Sequence, residues 1–567
     1  MGTSLRLQPP LSHMNEETLS WMQSKVESCI LHNHLNPDKT FIPDRLINVR
    51  ENQLSLVLTK DFQFRDPESH RYIALTYCWG PEPHASKQLK TTRVNIHQHQ
   101  QRIPELSLPQ VIKDAVTVTR ALSTPFLWVD ALCILQDDTS DWDKQCAVME
   151  RIYGNAYVTV AAVSSHNCEE GFIERTDRIL LPVRKKSGDT YVFGIYSPLY
   201  QANAFEEIRY SPWLARGWTF QERIASNRIL MFSNKNVHFK CKYFTQSMGF
   251  HRTRFEDRQY IMLDRVTIDS GSTAAIYQEW SKTVAQIVPR FHNLTRKTDF
   301  LPSIAGIASL FSKRLNDDYA AGLWKNSMHQ SLCWAVRVRV VDYEEMLKRL
   351  KSPFPYIAPS WSWACQSDYF SFDIYLSELS ADCRPEFHNL EIDIVLRGES
   401  VFGKVRNAAL NLTSKVYVGS PRLTLHRETP PLFENDGIVR FDGRYFADIE
   451  SDCYLRDIFE SIEGRALAAP ISFLLIGSTI RRERRARNFL WRQSDNYGSL
   501  SASTVSAEGG GNLEEGTISK RLAYGLLIHP TGNPNEYHRV GTFLSSPEYG
   551  GGLSVFDDIE VRTVRLV

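Results

Sequence analysis

From residue 72 onward the chain alternates between short apolar runs and amphipathic stretches. Residues 72–77 (YIALTY) are rich in aromatic and branched side chains and predict a strand, stopped by Trp79-Gly80-Pro81. Apolar residues at 108, 111, 112, 115, 116 and 122 draw the stripe of a core-facing helix. The nearly continuous apolar run 126–134 (FLWVDALCI) predicts a central strand covered on both faces. Ser140 is expected to cap the next helix, which carries Trp142, Met149, Ile152 and Tyr153. Asp141 and Asp143 fall in its first turn, where the helix dipole favours negative charge. Residues 157–163 predict another buried strand, 213–225 a helix, and 228–232 and 237–239 two further strands.

This order predicts an α/β module with a mainly parallel sheet flanked by helices. Ligands in such sheets bind beyond the carboxyl ends of the strands, which directs attention to residues just after Tyr77 and after Ile134. Upstream, Trp21, Met22, Val26 and Ile30 suggest a small surface helix. Downstream, 275–287, 301–310 and a segment from 317 through 336 read as helical, and 370–480 as short strands and turns. The apolar stretch 466–477 reads as a buried strand, and 524–528, 538–543 and 559–567 as strands. Four regions follow: an N-terminal extension 1–50, an α/β domain 51–260, a mainly helical region 261–365, and a mixed α+β tail that is β-rich over 366–567. The Ser/Gly/Glu-rich stretch 499–516 is a flexible loop within that tail.

Composition narrows the function classes. With 66 basic and 65 acidic residues, no global field draws nucleic acid or an anionic membrane. The run 481–487 (RRERRAR) is a local exception, which reads as a solvated face or, alternatively, as a nuclear-import or polyanion patch. The first residues lack the apolar core of an export signal, and Arg6 occupies the position where myristoylation favours Ser or Thr. Residues 466–477 include Pro470 and are far shorter than the ~20 residues a membrane span needs. Ten scattered cysteines without a CxxC pair predict reduced thiols and a soluble, cytoplasmic protein, the nucleus remaining open. Cys29, His32 and His34 lie close together but fall short of four zinc ligands, so no metal is expected.

No GxGxxG or GxxxxGK[ST] sequence supports a standard nucleotide fold, and no definite catalytic motif is present. Three segments, however, resemble signatures of the heterokaryon incompatibility (HET) domain family: 72–80 (YIALTYCWG), 127–138 (LWVDALCILQDD) with Trp142, Met149, Ile152, Tyr153 and Ala156, and 216–222 (RGWTFQE) followed by Arg228. Segments 301–306, 319–324 and 358–364 are similar to stretches that often follow this domain. The first signature usually has Ser where Thr76 stands, which keeps the hydroxyl; an N-terminal cysteine of many relatives is absent. The resemblance implies a cell-death effector of self/nonself recognition in filamentous fungi. It implies a protein partner from a nonself or regulatory chain and leaves open, as the alternative to an enzyme, a non-enzymatic module that self-associates and recruits partners. A suggested distant relation to TIR domains, some of which cleave NAD, makes NAD a candidate substrate rather than a cofactor, although fold does not establish chemistry.

Glu222 is the candidate catalytic residue: a helical carboxylate beside Trp213 and Trp218 can acquire a raised pKa or stabilise a developing cation. A salt bridge to Arg216 or Arg223 is the competing, purely structural role. Asp130, inside an apolar strand, needs a partner such as Arg216 or backbone amides. Trp79 and Gly80 could stack on and closely approach a planar ligand, with Arg216 and Trp218 completing the pocket. Asp137, Asp138, Asp141 and Asp143 read as solvated, Cys133 as a buried inert thiol and His84 as an exposed loop residue. Trp361 and Trp363 alternate as on a strand and are expected to pack between domains.

Overall fold

The computed structural model describes residues 12–30, 41–51, 53–61, 70–174, 180–184, 190–194, 207–234, 236–248, 268, 270–287, 294, 296–336, 341–365, 372–374, 382–426, 436–454, 458–459, 465–480 and 521–567. His32, His34, the stretch 499–516 and Arg481–Arg487 lie outside them. The chain forms two compact units, Met1–Asn316 with Leu396–Lys404, and Asp317–Val395 with Val405–Val567.

The first unit is built on an eight-stranded sheet. Its strands are β1 (Arg45–Asn48), β2 (Ser55–Leu58), β3 (Tyr72–Thr76), β4 (Phe126–Trp128), β5 (Val158–Ala162), β8 (Arg228–Phe232), β9 (Val237–Cys241) and β10 (Thr245–Ser247), while β6 (Leu180–Arg184) and β7 (Thr190–Gly194) form a separate antiparallel hairpin. The order is β10-β9-β8-β5-β3-β4-β1-β2. Its centre, β8-β5-β3-β4, is parallel, and both edges are antiparallel. Every residue of β3, β4 and β5 is buried, the pattern of strands covered on both faces. The chain leaves β3 for β4 on one side and then returns to β5 on the other. That reversal opens a crevice at the carboxyl end of β3, where open α/β sheets bind ligands.

Helices α1 (Glu16–Ile30), α2 (Ile96–Gln101), α3 (Gln110–Ala121), α4 (Asp130–Cys133), α5 (Thr139–Asn155), α6 (Pro212–Ala215), α7 (Gly217–Ala225), α8 (Thr273–Ile287) and α9 (Ala305–Leu315) complete the unit. In α3, Val111, Ile112, Ala115, Val116 and Val118 are buried, as the apolar stripe predicts. The α1 helix is more than a surface piece. Met22, Val26 and Cys29, spaced to share one face, are fully buried in the main core.

Three local expectations change. The 126–134 run does not remain a strand, since only Phe126, Leu127 and Trp128 pair with β3. Asp130 then opens the one-turn α4 and accepts its Ala131 N–H at 2.7 Å, a local bond that diverts the backbone from the ladder. The cap of α5 is Asp138, not Ser140, because its carboxylate accepts the amides of Ser140 and Asp141. The 213–225 helix is two helices, broken where Arg216 takes an extended conformation (ψ 138°).

In the second unit, strands Val405–Val418, Ser472–Ile480, Arg521–Pro530, Glu536–Ser545 and Val561–Leu566 pair in a closed ring, antiparallel except for Glu536–Ser545 with Val561–Leu566. This is a small barrel, with further strands extending its sheet. Phe446, Phe473, Phe543 and Phe556 pack together in the unit's core. The 317–336 segment is mixed, with short strands at Tyr319–Ala320, Leu323–Trp324 and Trp334–Val336 around the short helix Met328–Ser331. Trp361 and Trp363 are buried inside this unit on a turn rather than a strand. The Ser362 hydroxyl and Trp363 indole donate to the carbonyls of Ala321 and Gly322. Gly322 sits at φ +100°, and a Cβ there would lie 2.6 Å from the Trp363 ring.

Candidate functional site

A cavity of about 940 Å³ opens at the carboxyl ends of β3 and β4, and the described residues that line it all belong to the first unit. Trp79, Gly80, Asp130, Arg216, Trp218 and Glu222 all line it. Each arrives from a different local cause. Trp79 and Gly80 follow the end of β3, and Gly80 turns the chain at φ +87°. A Cβ on Gly80 would lie 2.4 Å from that of Asn167, so the turn and the 164–170 loop pack too closely for a side chain. Asp130 follows β4. Arg216, at the break between α6 and α7, donates through Nη1 to the Tyr77 carbonyl and so ties that break to the end of β3. Trp218 and Glu222 share α7 at the i, i+4 spacing of one helix face.

Asp130 finds the partners its setting requires. Its carboxylate accepts the Trp79 indole N–H at 3.0 Å and the Ala131 amide at 2.7 Å. Burial raises its pKa, while Arg216 and these donors pull it back down. Burial works against the Arg216 charge, but Cys78, Glu222 and Asp130 facing it outweigh this and hold it protonated.

Glu222 is 6% exposed, and its pKa is lifted to about 7. Burial is the largest cause and repulsion from Asp130 the second. Thr76, Arg216 and Tyr153 offset part of the rise. A dominant salt bridge to Arg216 would have lowered the value, so pairing is not what governs this carboxyl. The Thr76 hydroxyl accepts the Trp213 indole N–H at 2.7 Å, which leaves its own proton directed to Glu222. The hydroxyl kept by Thr76 is thus used, and neither Thr76 nor Tyr153 stood out as a site residue in the sequence.

Aromatic surface frames these carboxylates. Trp142 of α5 and Trp218 meet edge to face at 5.6 Å, and the Lys90 ammonium lies 5.1 Å from the Trp79 ring. The remaining singled-out residues do other work. Asp137 accepts the Arg93 amide, Asp138 caps α5, and Asp141 pairs with the buried Arg45. Asp143 alone among them joins Asp138 on the cavity wall without capping a helix. No group of metal ligands forms among the described residues. Cys133 is buried, which pushes its thiol up to about 12 and keeps it unreactive. His84 contacts Glu169 at 2.6 Å and does not line the cavity.

The wall also contains Leu294, Arg296, Asp299, Arg397, Gly398, Ser400, Gly403 and Lys404, which sequence reasoning missed. They lie far along the chain from the three signatures, and nothing in their local pattern points back to 72–222.

The fold and site thus define an α/β module whose cavity, at the crossover of a parallel sheet, brings the carboxylates of Asp130 and Glu222 together with Arg216 and three tryptophans. Residues 72–222 match the family model described as heterokaryon incompatibility protein (HET), and the chain therefore carries a HET domain in its first unit. No curated protein and no solved structure matches the chain. The match ends on Glu222. The domain supports a heterokaryon incompatibility-type role in general, and no helix among the described residues is long and apolar enough to cross a membrane.

Proposed function

We propose that the protein is a heterokaryon incompatibility effector that triggers cell death by hydrolysing a nucleotide, NAD or a close relative, in the cavity centred on Glu222. The observation that carries this reading is the meeting of Glu222, Asp130, Arg216, Trp79 and Trp218 in one cavity, with the Glu222 pKa near 7.

In this reading the tryptophans take the planar base and ring of the ligand. The bond between the nicotinamide nitrogen and the ribose breaks, and its electron pair leaves with the nicotinamide, which becomes neutral. The ribose is left with oxocarbenium character, which the Glu222 carboxylate faces and stabilises. Water adds to that carbon and releases a proton, which Glu222 can accept because its pKa lies close to working pH. Asp130, held by two N–H donors and facing Arg216, fixes the geometry of Trp79. The products are nicotinamide, ADP-ribose and a proton.

Inducible expression of the full chain in a fungal host tests the effector role. Growth arrest by the wild type and normal growth with equally abundant Glu222→Gln is the expected result. Normal growth with soluble wild-type protein would contradict direct toxicity. Equal arrest by both would move the activity away from Glu222.

A further inference from the structure

The two sets of chain segments that line the cavity differ in charge. Among the described lining residues of the HET segment, Glu82, Asp130, Asp138, Asp143 and Glu222 stand against Lys90 and Arg216 as permanent cations. Among the described lining residues of 294–299 and 397–404, Arg296, Arg397 and Lys404 stand against the carboxylate Asp299. We infer that this second, basic side is a subsite for the phosphate groups of a phosphate-bearing ligand, and that Arg397 and Lys404 determine the choice of ligand.

Residues 396–404 form a built turn. The Arg397 amide donates to the Lys404 carbonyl at 2.8 Å, and the Gly403 amide to the Ser400 carbonyl at 2.9 Å. Gly398 presses on α5 so closely that a Cβ would lie 2.3 Å from the Asp143 carboxylate. Lys404 reaches Asp299 at 2.9 Å, and its ammonium lies 4.9 Å from the Trp142 ring. The turn therefore holds a cation beside an aromatic face, an arrangement suited to a ring with phosphates attached. Glu399 of the same turn faces Asp143 and does not line the cavity. Charge of opposite sign on the two sides also orients a ligand: phosphates lie outward on Arg397 and Lys404, and an uncharged or cationic end lies inward on Asp130 and Glu222.

This inference rests on the cavity being the working site, but its test does not depend on turnover. Calorimetric titration of the full chain compares adenosine diphosphate, adenosine and inorganic pyrophosphate, against wild type, Arg397→Gln, Lys404→Arg and the double variant Arg397→Gln/Lys404→Gln. Adenosine diphosphate should bind on the order of tenfold more tightly than adenosine, and pyrophosphate should compete with it. The double variant, confirmed folded by circular dichroism, should erase that preference while leaving adenosine affinity unchanged, and Lys404→Arg should preserve it. Equal affinity for diphosphate and nucleoside, or a preference that survives in the double variant, overturns the subsite. Charge-dependent diphosphate binding without nicotinamide release would uphold the subsite and refute the proposed reaction. Nicotinamide release with a KM indifferent to Arg397→Gln and to the double variant would do the reverse.

Discussion

Burial and the neighbouring Asp130 lift Glu222 to about 7, so a proton that an unfolded chain releases near 4.5 is retained by the folded one. The folded state binds that proton more tightly, so the stabilisation is complete below about 4.5 and disappears as pH rises through about 7. The shift corresponds to on the order of 3 kcal/mol. Wild type should therefore lose about that much stability relative to Glu222→Gln between pH 4.5 and 8, followed by urea unfolding at each pH. Parallel curves for the two proteins would show that the carboxyl titrates normally. Thr76 makes a second prediction. Thr76→Val removes the donor to Glu222 and orphans the Trp213 indole, at a cost of about 1–3 kcal/mol. The Glu222 pKa should rise further, moving the alkaline loss of stability to higher pH, whereas Thr76→Ser should restore the wild-type profile. Glu222 was legible in the sequence because a carboxylate beside two tryptophans is chemically conspicuous. Thr76 was not, since its partners Trp213 and Glu222 come from α6 and α7, far along the chain.

At the scale of elements, local chemistry decided where periodicity could not. The apolar run 126–134 reads equally well as a buried strand or a buried turn of helix; Asp130, bonding its neighbour's amide, ends β4 and places its carboxylate in the cavity. The break at Arg216 falls beside Gly217, a poor helix former, but one glycine does not by itself end a helix. It is held there by the Thr219 hydroxyl, which donates to the Arg216 carbonyl, and by the guanidinium on the Tyr77 carbonyl, a contact only the folded sheet supplies. The strands of the parallel centre and helices α3 and α5 were legible, since burial on both faces or on one stripe is written in residue order. The cap of α5 was off by two residues because Asp and Ser are nearly equivalent caps. Asp138→Ala should cost about 1 kcal/mol, while Ser140→Ala should change stability little. Thermal midpoints of the two variants distinguish the assignments, and an equal loss would return the cap to Ser140.

At the scale of the whole molecule, the sequence showed a β-rich C-terminal half but not a closed ring of strands, because closure depends on long-range pairing such as Val405–Val418 with Val561–Leu566. The second unit also contains a buried charge that periodicity cannot register. Arg539 and Asp452 pair at 2.6 Å, almost fully buried, with the guanidinium lying over the Trp334 ring. Burial raises the Asp452 pKa, and Arg539 pulls it back. Arg539→Leu would leave that carboxylate without its cation, and should destabilise the protein by roughly 3–5 kcal/mol, seen as a lowered thermal midpoint. The cavity of the first unit was only half legible. Its inner side follows the three signatures, whereas its basic side comes from 294–299 and 397–404.

The central claim, that this cavity cleaves a nucleotide with Glu222 as its working carboxylate, is tested most directly by nicotinamide release from NAD by the purified full chain across pH 5 to 9. Release by wild type should increase with ionisation of a group near 7 and should be lost in correctly folded Glu222→Gln. No release by wild type at any pH, or full release by Glu222→Gln, would contradict it.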